Sequence, residues 1–267
     1  MSGKFALRPA ALEQKMNGQL STTGKRRATH LRFWFNTTAL TLIFATQSGT
    51  FASPKAAQSK QIASDARQAA LLSELRQLQK LSTKSLSMEA NFEQKTYSAL
   101  RKKISISSGT LQYSHPRMFR WEVTSPRAEL YVNNEKWFWK YIASTKHALR
   151  MPASSSELEF LDVIFNFETL PKKFNIVKVS KIQHDELKTN FECSGRLTCF
   201  ELKPREQERH RQITIAIDTQ TGYAKLIYIE FRNGNKTEIS FSQYKQSELS
   251  KRDFEFSPPP GTAIDKR

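Results

Sequence analysis

The chain has 267 residues, with 42 Lys and Arg against 25 Asp and Glu and only two cysteines, which leaves room for one or two domains. Its formal net charge of +17 suits nucleic acid, an anionic membrane surface or plain solubility, but the cations are spread along the chain rather than clustered as in a nucleic-acid arm. Two thiols without further cysteines or a nearby histidine make a poor metal site.

Lys25, Arg26, Arg27 and Arg32 lead into an apolar run at 33–45, followed by small and polar residues ending Thr50-Phe51-Ala52-Ser53-Pro54. Basic, then apolar, then small is the layout of a secretory signal peptide. The run is interrupted by Asn36-Thr37-Thr38 and is too short for the ~20-residue helix that spans a bilayer. The reading is therefore a cleaved signal peptide with a long basic leader over residues 1–53, in which Met16 is a second candidate start. No cysteine ends the apolar run, so no lipid anchor is expected there. Cleavage near Ser53 removes seven Lys and Arg and one Asp or Glu, leaving 35 minus 24, or +11, on the exported chain. Export argues against nucleic acid as a partner and leaves a solvated basic surface or a weak attraction to anionic lipid.

Residues 54–63 are Ala, Ser, Gln and Lys and read as a flexible leader; the folded domain is expected over 64–267. Ser64-Asp65 is a helix-start signal, and Leu71, Leu75 and Leu78 fall at i, i+4 and i+7, so an amphipathic helix is predicted to end near Thr83. The hydrophobic period then changes from 3.6 to 2. Met88, Ala90 and Phe92 share one face of a strand, Ile104 and Ile106 alternate with serines, and Leu111 and Tyr113 continue the next strand. The stretch 109–123 alternates, breaks at Pro116 and resumes through Phe119, Trp121 and Val123. Proline cannot donate to a ladder, so this is a corner where one strand hands over to the next. Further alternating runs lie at 129–141, 174–182, 191–202, 211–218, 225–231 and 236–244. Asn133-Asn134, Thr221-Gly222 and Asn233-Gly234-Asn235 provide turn signals. About ten or eleven short antiparallel strands behind one helix predict a mainly β fold, a single strongly curved sheet or incomplete barrel.

Residues 154–167, SSSELEFLDVIFNF, stand apart. Two overlapping S-x-x-E helix starts precede Leu158, Leu161 and Phe165 on one helical face with Ile164 beside them. This predicts an amphipathic helix that, with the first one, covers the concave face of the sheet and encloses either a packed core or a closable apolar cavity. Cys193 and Cys199, separated by SGRLT, have hairpin spacing. In an exported chain that suggests a disulfide across neighbouring strands, with Gly195 in the turn; two free thiols packed as small apolar residues are the alternative.

Chemical motifs are absent. There is no Gly-rich phosphate loop, no G-x-S-x-G and no H-E-x-x-H. The five histidines, His30, His115, His147, His184 and His210, are scattered, and no carboxylate spacing suggests an acid and base pair. A binding role is favoured over an enzyme, with no cofactor and no metal.

Five pieces, in order, resemble the periplasmic outer-membrane lipoprotein carriers, the LolA family. The segment Met88-Glu89-Ala90-Asn91-Phe92-Glu93-Gln94 is similar to the family's first strand. Gly109-Thr110-Leu111, then Pro116, then Phe119-Arg120-Trp121 is similar to its G-x-L strand, proline and F-x-W strand. Trp139-Lys140-Tyr141 matches its W-x-Y strand, Asn233-Gly234-Asn235-Lys236-Thr237 its G-N-x-T hairpin, and Phe254-Glu255-Phe256-Ser257-Pro258-Pro259 with Gly261 its closing F-x-F-x-P-P-x-G. The resemblance runs from Met88 to Asp265 and is weak between Met151 and Lys203.

It implies an incomplete antiparallel barrel with helices as a lid over the concave apolar face. It also implies a monomeric periplasmic carrier. Such a carrier takes acylated lipoproteins from an inner-membrane lipoprotein-releasing ABC transporter and passes them to an outer-membrane acceptor. On that reading Met88, Phe92, Leu111, Phe119 and Trp121 line the acyl-chain cavity, and Leu158, Leu161, Ile164 and Phe165 form the lid's inner face. The family places an arginine just before the proline as a lid latch; here His115 occupies that position, with Arg117 and Arg120 as candidate substitutes. The alternatives are an exported lipid or glycolipid carrier or an envelope-stress sensor of the same fold, and, from another class, an interaction module whose sheet is filled by its own side chains.

Overall fold

The structure, a computed structural model, describes residues 54–84, 87–153, 170–206 and 210–266. Two compact units run over residues 1–65 and 66–267. In the first, the described residues are helical: helix α1 (Pro54–Ser82) begins at Pro54, ten residues before the Ser64-Asp65 signal. The expected leader at 54–63 is thus helix. Its Ala, Gln and Lys are good helix formers without an internal breaker, and proline is well tolerated at a first helical position.

In the second unit α1 continues with Leu71, Leu75 and Leu78 buried at the predicted spacing. The hydroxyls of Ser82 and Thr83 donate to the Gln79 carbonyl, each at 2.9 Å, and close the helix. Gly222, with φ of +73°, packs against this end: a Cβ there would stand 2.1 Å from the Leu78 carbonyl oxygen.

The chain then forms β1 (Ser87–Ser98), β2 (Lys103–Ser114), β3 (Met118–Ser125), β4 (Glu129–Asn133), β5 (Trp137–Ile142) and β6 (His147–Pro152) as a meander. After a one-turn helix, α2 (Leu170–Lys173), come β7 (Phe174–Val179), β8 (Lys181–His184), β9 (Thr189–Glu192), β10 (Leu197–Pro204), β11 (His210–Asp218), β12 (Ala224–Phe231), β13 (Lys236–Gln246) and β14 (Ala263–Lys266). Twelve of these make one curved, open sheet in the order β14-β6-β5-β4-β3-β2-β1-β13-β12-β11-β10-β7, while β8 and β9 form a separate hairpin. Every neighbour in the large sheet is antiparallel except β14, which runs parallel to β6. The expected runs 129–141, 174–182 and 191–202 each divide in two, at Asn134 and at the bounds of the hairpin. Strand β14 carries no apolar alternation, because all four of its residues are exposed; it is held by backbone pairing to β6 and by the Asp265 carboxylate, 3.2 Å from His147 Nε2.

The sheet is apolar on both faces. Cross-strand partners point to the same side, so the register runs Phe174 and Ile176 of β7, Phe200 and Leu202 of β10, Ile213 and Ile215 of β11, Ile227 and Ile229 of β12 and Ile239 and Phe241 of β13 onto one face with Phe92. Helix α1 lies on that face. Gln68 donates to the Ile176 carbonyl at 3.1 Å, and Glu74 accepts from Thr198 at 3.1 Å and from the Lys178 ammonium at 2.7 Å.

The opposite face is covered in two patches. Met118, Leu130, Val132, Trp139 and Ala148 pack against Phe254 of the C-terminal segment, with Phe256 beside Trp139 and Tyr141. Farther along, Cys199, Ala216, Leu226 and Tyr228 pack under the β8–β9 hairpin through Ile182 and Leu187. Three further ties hold that hairpin. The Thr189 hydroxyl donates to Glu238 and Lys236 pairs with Glu186, while the Cys193–Cys199 disulfide joins the stretch after β9 to β10.

His184 stacks on Tyr228 with ring centroids 3.3 Å apart and planes 8° apart. Burial, then the nearby Lys236 ammonium, push its pKa below the usual 6.5, against the opposing pull of Glu230, Glu186 and Glu238. A histidine whose folded pKa is depressed is bound neutral, so its contribution to stability is present above 6.5 and is lost as pH falls through the lowered value.

Leu75→Ala is expected to cost about 3 kcal/mol in denaturant titration, and Gly222→Ala at least about 2 kcal/mol because the added methyl meets helix backbone. The disulfide closes a short loop, so the Cys193→Ser/Cys199→Ser pair should lose about 2 kcal/mol. Stability of the wild type should rise between about pH 5 and pH 7, and His184→Phe, which keeps the stack, should flatten that slope.

Candidate functional site

The five residues expected to line an apolar cavity lie on the face that carries α1. In β1 and β2, Met88 pairs with Tyr113, Ala90 with Leu111 and Phe92 with Gly109; in β3, Phe119 pairs with Tyr113 and Trp121 with Leu111. Met88, Phe92, Leu111, Phe119 and Trp121 are therefore on one side of three adjacent strands, and each is buried.

Their rings meet. Phe92 and Trp121 have centroids 4.1 Å apart although β2 lies between their strands, and Trp121 meets Phe241 edge-on at 6.0 Å. Gly109 makes the first contact possible. It sits in β2 beside Phe92, at a register shift against β3, and has no side chain to separate the two rings. A Cβ on Gly109 would fall 1.8 Å from the Glu122 carbonyl oxygen. A glycine in a strand interior marks such close backbone approach.

The aromatic surface continues beyond the expected residues. Phe138 of β5 lies 6.3 Å from Phe119 and 6.4 Å from Tyr131 of β4, and Met151 of β6 pairs across from Phe138. Tyr131, Phe138, Met151 and Phe241 were not legible as site residues. Alternation marked the strands, but Trp137-Phe138-Trp139 offers an aromatic to either face, and only the register assigns Phe138 to this one. Trp139 and Tyr141 go to the opposite face against Phe256.

Charged groups enter this face at β4 and β5. The Tyr131 hydroxyl donates to Glu129 Oε2 at 2.7 Å, and burial, reinforced by the Glu129 carboxylate, holds the phenol protonated far above its usual range. Lys140, directly across from Tyr131, is buried with its ammonium 5.5 Å from the Tyr131 ring, a cation–π arrangement. The arrangement is suited to holding an apolar ligand and offers no nucleophile with a base. Among the described residues no three His, Cys, Asp or Glu stand together as metal ligands.

His115 is exposed at the corner between β2 and β3, where the His115–Pro116 bond is cis and the Tyr113 hydroxyl donates to the Pro116 carbonyl at 2.8 Å. Arg117 is exposed in the same turn. Arg120 points to the other face, pairing with Glu122 at 3.4 Å, and so cannot replace a latch on the site face. Leu158, Leu161, Ile164 and Phe165 lie outside the described residues. The connection that contains them leaves β6, next to one edge of the sheet, and re-enters at α2 before β7, the opposite edge strand.

Known proteins resemble this chain over most of its length. It is 24% identical over 201 residues to the outer-membrane lipoprotein carrier protein of Nitrosomonas europaea, covering 72% of this chain and 88% of that one. It is 28% identical over 185 residues to that of Pseudoalteromonas translucida, covering 67% and 80%. Among solved structures, an uncharacterized conserved protein from Thermus thermophilus superimposes with a TM-score of 0.48 at 13% identity, covering 74% of this chain and 99% of that one. A LolA superfamily protein from Nitrosomonas europaea gives 0.40 at 10% identity, covering 69% and 96%. The family of outer membrane lipoprotein carrier protein LolA matches residues 83–257, from just before β1 through the C-terminal cover of the sheet, and the chain belongs to that family.

Proposed function

We propose that this protein is a periplasmic carrier that shields the acyl chains of lipoproteins between the inner and the outer membrane. It receives them from a lipoprotein-releasing ABC transporter and gives them up to an outer-membrane acceptor. The observation that carries the reading is the aromatic surface of Phe92, Trp121, Phe119, Phe138 and Phe241 on the same sheet face as α1, in a chain of the LolA family. Export through the segment 1–53 delivers the carrier to the periplasm.

Each acyl methylene removed from water is worth about 0.8 kcal/mol, so a lipoprotein with its chains in solvent moves readily to such a surface. Met88, Phe92, Leu111, Phe119 and Trp121 form the wall. Leu158, Leu161, Ile164 and Phe165, in the connection from β6 to β7, form the movable cover. A cover of moderate stability lets the carrier release what it binds. His115 is the latch to that cover in place of the family's arginine, its ring N–H serving as the hydrogen-bond donor.

Affinity isolation of the protein from a periplasmic extract should bring down acylated lipoproteins; a ligand-free protein that also binds no apolar dye sinks the proposal. Phe165→Asp and Leu161→Asp should lower apolar-dye affinity at least about tenfold with little change in melting temperature, whereas equal loss of binding and stability would mark a self-filled core. His115→Ala should speed release of bound lipoprotein in a transfer assay, and His115→Arg should not.

A further inference from the structure

The hairpin that joins β1 to β2 is built unlike the other turns of the sheet. Leu100 at its tip is 92% exposed, and Ile104 and Ile106, which follow in β2, are 42% and 54% exposed. Between them stand three exposed cations in a row, Arg101, Lys102 and Lys103. No carboxylate occurs in the sequence between Glu93 and Glu122, and Glu93 is already near Lys95, 3.9 Å away.

The tip also projects. Pairing of β2 with β3 stops at Ser108, so residues 103–107 are bonded only to β1. Ile104 and Ile106 pair with Tyr97 and Lys95 and therefore share a face. The projection is held firmly: Lys102 N–H donates to the Ser98 carbonyl at 2.8 Å, Arg101 N–H to the Ser98 hydroxyl at 3.3 Å, and Ala99 N–H to Asn235 of the neighbouring β12–β13 turn at 2.9 Å. An apolar side chain held out on a rigid turn is exposed at a cost in solvation, and nothing in the core uses it.

We infer that the β1–β2 tip docks the protein on the surface of an anionic phospholipid bilayer, Leu100 and the two isoleucines entering the acyl boundary while Arg101, Lys102 and Lys103 meet lipid phosphates. A protein partner fits the tip poorly. Three aliphatic side chains on one narrow turn, with no aromatic anchor, offer far less than the ~800 Å² per partner of a stable protein interface. A bilayer needs no matching contour. Each cation close to an anionic leaflet strengthens binding about fivefold, and insertion of a leucine side chain adds about tenfold or more. The inference goes beyond carriage and does not rest on it, since a cargo-free protein carries the same tip.

The test is sedimentation of the purified protein with vesicles of phosphatidylcholine alone or mixed with phosphatidylglycerol. Binding to the anionic vesicles, weakened by salt, is expected. Leu100→Asp should reduce it at least about tenfold and Lys102→Glu/Lys103→Glu at least about 25-fold, with unchanged near-ultraviolet circular dichroism and unchanged apolar-dye binding. Reversal of Lys251 and Arg252, exposed cations of the C-terminal segment, should leave vesicle binding within about twofold, far from the per-charge effect at the tip. Equal loss from both charge reversals means a general attraction of a basic protein and overturns the proposal. Equal binding to neutral vesicles, no binding, or binding untouched by Leu100→Asp also overturns it. Loss of dye binding without loss of vesicle binding would fault the carrier reading alone.

Discussion

A sheet that is apolar on both faces must be covered on both, and this requirement organises the rest of the chain. Antiparallel sheets commonly leave one face to water. Here the alternating residues of β3 to β6 put Phe119, Trp121 and Phe138 on one side and Met118, Val132 and Trp139 on the other, and both sets are buried. The elements outside the ladder are the covers. Phe254 and Phe256 close one patch of the second face and the β8–β9 hairpin closes the other, while α1 lies on the first.

The two kinds of cover are fixed by different means. On the second face the hairpin is tied by a disulfide, by Thr189 to Glu238 and by Glu186 to Lys236. Buried apolar contacts alone would leave a two-stranded hairpin marginal, so the polar ties and the crosslink supply what its small area cannot. The capping box of Ser250 and Asp253 does the same for the turn that presents Phe254.

Much of this was legible before any coordinates. The change of period after Thr83, the Pro116 corner and the turn signals located the strands, because a half-buried strand writes its face into every second residue. Alternation placed Phe119 with Trp121, the family resemblance set Phe92 and Leu111 beside them, the register puts all four on one face, and the cysteine pair was suggested by its spacing. What alternation could not supply was the side of the sheet, since both sides are apolar: Trp139, quoted in the family's W-x-Y strand, faces away from Phe138 one position earlier. Register shifts compound this, as at Gly109, where the shift and the missing side chain bring Phe92 to Trp121. Strand β14 left no trace because all four of its residues are exposed and none writes an apolar face, and the early start of α1 reflects residues that serve a leader or a helix equally well.

The face that carries α1 is itself divided by chemistry. Under the helix it is mostly β-branched and aliphatic, Ile176, Leu202, Ile213, Ile215 and Ile227 with Phe174 and Phe200 among them, side chains that largely pack to fixed positions with few rotamers, and the helix is bonded down through Gln68 and Glu74. Toward β1 through β5 it becomes aromatic, with Tyr131, Glu129 and Lys140 at its far side. Aromatic rings supply large apolar area at low conformational cost and accept partners of varying shape. Local opening needs only the contacts it breaks, so opening over the β1–β5 half leaves the half under the helix intact. On the proposed carrier function, such a division between a half that holds the fold and a half that holds the acyl chain is the condition under which tight holding and release can coexist.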